Sequence, residues 1–105
     1  MAAILAVVSD LMLASRVDGA LRAAGHDVTV VGSLPLAIEA DAVVCDLDAV
    51  DPAEVVGSDV PSLGFYSHVD VEVRRRAEAA GMKLVVPRSR MSRELPDLVE
   101  RLLAG

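Results

Sequence analysis

The stretch "AVVCDLDAVDP", residues 42–52, decides how this chain folds. Ala42, Val43, Val44 and Cys45 form an unbroken apolar run that delivers Asp46 at its end. A short continuous run of this kind reads as a strand covered on both faces, as in a parallel sheet, because a strand with one wet face alternates instead. Asp51, Pro52 and Glu54 follow with capping-box spacing and proline in the first helical position. A helix therefore starts there, and Gly57 stops it after little more than a turn. The rest of the chain has to show whether Asp46, at the end of that strand, is a chemical group or a structural one.

Four further apolar runs flank this unit: Ile4 to Val8, Val28 to Val31, Leu63 to Tyr66 and Leu84 to Val86. Between the first two, Leu13, Val17, Ala20, Leu21 and Ala24 recur at helical spacing, with Asp10 placed to cap the start and Gly25 the end. "SLPLAIEA" offers Ser33 as a cap and Pro35 in the first turn, and predicts a stunted second helix of about two turns. The fourth helical segment is fuller. Ser67 and Asp70 have capping-box spacing, Val69, Val73, Ala77 and Ala80 line one face, and Gly81 ends it. Leu95, Leu98, Val99, Leu102 and Leu103 predict a fifth, whose Pro96 belongs in the first turn.

Strands alternating with helices give an α/β fold: a single doubly wound five-stranded parallel sheet of order 2-1-3-4-5, with shortened second and third helices. The 105 residues, 53% hydrophobic, fit one domain over positions 1–105. Ligands and chemistry in such sheets sit at the carboxyl edge of the strands, where Asp10 and Asp46 both fall.

Composition removes several classes. A net charge of -6 disfavours generic nucleic-acid binding. The apolar opening lacks a basic start, is cut off by Asp10 and is too short to span a bilayer. A soluble protein is expected. The lone Cys45 forms no internal disulfide and reads as a small buried hydrophobe in a reducing, cytoplasmic compartment. Ser62, Ser67 and Ser89 lack a glycine-flanked elbow, and no glycine loop has phosphate-cradling spacing. His26 and His68 have no partner at zinc spacing, and His26, after a helix-ending glycine, carries the blander reading. No enzyme activity is expected.

From "ILAVVSD" through "LRAAGHDV", and again from "VPSLGFYSHVDVEVRRRAEAAG" through "KLVVPRS", the chain resembles the receiver domain of bacterial response regulators, a flavodoxin-like fold. "VVCDLD" is similar to the family's third strand, and the resemblance makes Asp46 the phosphoacceptor equivalent. It also implies a pocket of Ser9, Asp10, Tyr66, Ser67 and Arg88. The family's acidic pair after the first strand, which with the acceptor holds Mg²⁺, falls here on Val8 and Ser9, with Asp10 one step later. Mg²⁺ demands oxygen ligands in near-octahedral geometry, and valine supplies none. The family's lysine falls on Arg88, followed by Ser89. Its aromatic switch residue falls on Val85, and the hydroxyl residue of the fourth strand on Tyr66, beside Ser67. Arg88 reads either as an anchor for an anion or as the partner of a loop carboxylate, with an Arg88 to Asp46 ion pair as one resting state.

Two readings of Asp46 compete, a phosphoacceptor and a carboxylate that ends a strand by accepting loop amides. Asp10 reads as an ordinary helix cap. Arg74, Arg75, Arg76, Lys83, Arg90 and Arg93 place positive charge around the fourth helix, fifth strand and fifth helix, the face receivers use for dimerisation and output. The expected function is a stand-alone degenerate receiver, a non-enzymatic signalling module with no metal or cofactor. It would bind a protein partner, a second copy among the options, and neither nucleic acid nor membrane. The rivals are a working Mg²⁺-dependent phosphoacceptor and a binder of small anions or ligands through Arg88, Tyr66 and His68.

Overall fold

The computed structural model describes residues 2–67 and 71–105. His68, Val69 and Asp70 lie outside the described residues, and with them the expected cap of the fourth helical segment. Strands β1 (Ala3–Val7), β2 (Asp27–Val31), β3 (Ala42–Asp46), β4 (Ser62–Tyr66) and β5 (Leu84–Pro87) hydrogen-bond in the order β2-β1-β3-β4-β5. All four pairings are parallel. In register, Ala6 faces Val44, Val44 faces Leu63 and Leu63 faces Leu84, so one apolar row crosses from β1 to β5.

Because successive side chains on a strand point to opposite faces, the sheet divides the core in two. Ile4, Ala6, Val44, Leu63, Phe65 and Val86 pack on one face beneath helices α1 (Leu11–Ala23) and α4 (Arg88–Ala104). Leu5, Val7, Val43 and Cys45 pack on the other with Val55 of α2 (Pro52–Val56) and Ala77 of α3 (Val71–Ala79).

Local chemistry accounts for the helix ends. The Asp10 carboxylate accepts the amides of Met12 and Leu13 at 3.0 and 3.1 Å and opens α1. Gly25, at φ 93°, closes it: the His26 amide reaches the Leu21 carbonyl and the Gly25 amide that of Arg22. The backbone needs a left-handed residue there, which glycine supplies without strain. Gly81 ends α3 by the same pair of bonds, to Ala77 and Glu78. Asp51 accepts the Ala53 amide and Pro52 occupies the first turn of α2.

Two expectations are corrected. "SLPLAIEA" forms no helix; residues 33–41 run as bends and irregular chain. A helix of two turns has little intrinsic stability, and Pro35 pushes Leu34 away from helical geometry. Leu34, Ile38 and Ala40 are instead tucked against the second core cluster. The last helix begins at Arg88, directly after β5, so Pro96 lies in its interior and not in its first turn. An interior proline costs about 3 kcal/mol. Met91, Leu95, Leu98, Val99 and Leu102, each at most 2% exposed, outweigh it, since burying each contributes about 1.5–3 kcal/mol. No helix among the described residues is long and apolar enough to cross a membrane.

Candidate functional site

The carboxyl ends of β1, β3, β4 and β5 bring the sequence-predicted residues to one edge of the sheet, but not into the expected contacts. Asp46 ends β3 half-buried, and its Oδ1 accepts the Asp48 amide at 2.9 Å, closing a turn between them. Its carbonyl accepts the amides of Ala49 and Val50. Arg88 turns to Asp10, with 3.6 Å between Nη2 and Oδ2, so the anticipated Arg88 to Asp46 pair is replaced by an Arg88 to Asp10 pair. Asp10 already points at the start of α1 to cap it, and it stands in the arginine's reach.

Val8, one of the two positions where an acidic pair would stand, is 3% exposed and belongs to the core under α1 and α4. Ser9 is exposed beside it. Tyr66 is buried in the second core cluster, so its ring is structural filling more than pocket wall. Ser67 is exposed and its hydroxyl donates to Asp48 Oδ2 at 2.6 Å, tying the loop after β4 to the loop after β3. Asp48 was not among the expected pocket residues, although the Asp-Leu-Asp spacing after the strand signalled it.

Burial and the charges of Asp48, Asp10 and Arg88 set the electrostatics of the edge. Burial raises the Asp46 carboxyl above its ordinary value, and the negative charges of Asp48 and Asp10 add to this. The Asp48 amide and Arg88 pull the other way without cancelling it. Asp10 is lowered, chiefly by the Leu13 amide, with the Met12 amide and Arg88 assisting. Cys45, next to Asp46 and fully buried, is pushed up to about 12 by burial first and by the Asp46 charge second, so its thiol is inert. Among the described residues no three His, Cys, Asp or Glu side chains are grouped so as to hold a metal ion.

A raised carboxyl stabilises the fold while protonated and ceases to as pH rises from the unfolded value near 3.8 through the folded one. At neutral pH the ionised Asp46 is therefore a net burden. Asp46→Asn keeps the acceptor for the Asp48 amide and removes the charge, so the melting temperature should rise by a few degrees at pH 7. The gain should vanish near pH 3 and shrink with salt. Paired thermal melts across that range check it, and a lower melting temperature at pH 7 would contradict it.

The cations of the expected basic face stand on α3, just before β5 and on α4, and much of their charge is balanced within their own helices. Arg74 pairs with Glu78, Arg75 with Glu72, and Arg90 and Arg93 with Glu94, at 3.4 to 3.9 Å. Lys83 donates to the Leu102 carbonyl, and Arg76 lies beside Val73 and Leu47. His26 departs from its bland reading. Its ring is 4% exposed, Nδ1 accepts the Ala2 amide at 3.3 Å, and Nε2 stands 3.4 Å from Glu100 at the opposite end of the sheet from Asp46. A lone histidine after a glycine carries no signal for such burial.

An all-parallel sheet of this order gives the chain a receiver-like fold, and solved receiver domains share that fold over essentially the whole chain. The receiver domain of ChxR from Chlamydia trachomatis is 18% identical with a TM-score of 0.75, covering 100% of both chains. The non-phosphorylated HemR receiver domain from Leptospira biflexa is 21% identical with a TM-score of 0.81, covering 100% of this chain and 96% of that one. The receiver domain of the Francisella response regulator 1452 is 15% identical with a TM-score of 0.82, over 99% and 98%. At these identities the likeness is one of fold. No family model and no curated protein matches the sequence.

Proposed function

We propose that this chain is a degenerate receiver, a non-enzymatic signalling or regulatory module that works through protein contacts and not through a phosphorylation cycle. One observation carries the reading: where a divalent ion would need oxygen ligands, the chain has a buried Val8, and the nearest carboxylate, Asp10, is engaged by two amides and Arg88. The donor set does not fit Mg²⁺, which takes near-octahedral oxygen coordination. Asp46 keeps its place at the end of β3, with its Oδ1 engaged by the Asp48 amide. The small-ligand reading is weakened by the same contacts, since Arg88 faces Asp10 and the Tyr66 ring is buried. The arginines of α3 and α4 lie on a face that suits a partner with an acidic patch, each contact tuning association more than affinity.

Incubation with acetyl phosphate and Mg²⁺ should leave the intact mass unchanged, and a Mg²⁺ titration followed by NMR should leave the amides of Asp10, Asp46 and Asp48 unmoved. A gain of one phosphoryl mass that Asp46→Asn abolishes would sink the proposal in favour of a working phosphoacceptor.

A further inference from the structure

The crossover from β2 to β3 leaves an open groove where a helix was expected. Leu34, Pro35, Leu36 and Ile38 form one wall and Ala53 and Glu54 of α2 the other, around about 450 Å³. Leu36 is fully exposed at the lip of this groove. The second face of the sheet is thinly protected here, by an irregular segment and a five-residue helix.

The charged residues on the segments that build the groove are all acidic. Between Arg22 and Arg74 the chain carries no Lys or Arg, yet it holds ten of its sixteen Asp and Glu residues. Glu54 lines the groove, Glu39 borders Ile38, and Asp51 caps the helix that forms the far wall. Among the described residues none of these three takes part in an ion pair.

We infer that this groove docks an amphipathic helix of a partner protein whose apolar stripe is flanked by Lys and Arg. The apolar wall of Leu34, Pro35, Leu36 and Ile38 takes the stripe, as in helix-in-groove recognition, and the acidic rim selects the flanks and speeds encounter. A second copy is a poor occupant. Two identical acidic grooves facing each other across a two-fold axis repel, the apolar stripe of α4 is spent in the core, and most arginines of α3 and α4 are paired on their own helices. The inference rests on the interaction-module reading and names a partner class and a surface for it, distinct from the basic face.

The test uses the full chain, isotope-labelled, and two synthetic helical peptides with the same leucine stripe, one flanked by lysines and the other by glutamates. The lysine peptide should shift the amides of Leu34, Leu36, Ile38, Ala53 and Glu54, and should bind more weakly as salt rises. Leu36→Ser or Glu54→Lys should each weaken it roughly tenfold, the loss of one anchor. Both residues are exposed, so both variants should fold. The glutamate peptide should not bind. Equal binding of the two peptides, shifts centred elsewhere, or no loss in either variant would overturn the inference. So would concentration-dependent dimerisation abolished by Leu36→Ser, which would give the groove to a second copy. A flat titration sinks the groove alone, whereas phosphorylation of Asp46 sinks the functional reading and leaves the groove standing.

Discussion

Gly64→Val should cost the domain about 1–3 kcal/mol, the usual range for overpacking a filled core, and should disorder the loop that carries Asp46 and Asp48. Gly64 lies in the middle of β4, paired with Cys45 on one side and Val85 on the other. A Cβ added there would stand 2.5 Å from the Met82 sulfur and 2.8 and 2.9 Å from the two methyl carbons of Leu47. Met82 is flexible and can swing aside; Leu47 cannot without moving its neighbours, because it sits between the two aspartates. The missing side chain of Gly64 is thus what lets Leu47 fold onto the sheet and set the turn in which Asp46 accepts the Asp48 amide. Urea unfolding should show a lower midpoint with an unchanged slope. The amides of Asp46 to Val50 should shift, and hydrogen exchange at the Asp48 amide should quicken. Gly64→Ala should show the same signs at smaller size, because its methyl meets Met82 and Leu47 at the same distances but adds none of the further bulk of valine. Stability and loop spectra equal to those of the parent would remove Gly64 from this role.

The same residues show how far the sequence could be read. Strands β1, β3 and β4 were legible because both faces are covered, so apolar character runs on without alternation, and α1 because Asp10 and Gly25 mark its ends. The segment at 33–41 misled because Ser33 and Pro35 are local start signals, while the winning interaction was tertiary, the burial of Leu34 and Ile38. At α4 the helical spacing of Met91, Leu95, Leu98 and Val99 starts ahead of Pro96, and a deeply buried stripe tolerates an interior proline, so a proline alone does not mark a first turn. For the site, the place of Asp46 follows from strand order alone. The partners do not, since Arg88 with Asp10 and Ser67 with Asp48 depend on how side chains reach between strand ends. His26 shows the limit most plainly, buried by the packing of elements remote in sequence.

Phe65→Ala should be the most damaging single change, at about 3–5 kcal/mol. Phe65 is the only phenylalanine in a chain without tryptophan, and at 1% exposure it is among its largest fully buried side chains. It follows Gly64 on β4 and points to the opposite face, into the cluster beneath α1 and α4. Truncation there leaves a cavity, where Gly64→Val creates a clash on the other side, so neighbouring positions test the two cores by opposite means. The surrounding side chains are aliphatic, and Met91 is supple enough to collapse partway, which favours the lower end of the range. Even that is a large share of the 5–15 kcal/mol that ordinarily separates folded from unfolded chains. Thermal melting should drop by more than about 10 °C, and Phe65→Leu should recover most of the loss by keeping the volume. In register Phe65 lies between Asp46 of β3 and Val86 of β5, next to the strand end that leads into Arg88. At temperatures where the variant remains folded, the turn at Asp46 should keep its amide pattern, since Leu47 and Asp48 are set from the other face. If the loop amides shift as strongly in Phe65→Ala as in Gly64→Val, the two faces are not independent and the site is held by the sheet as a whole.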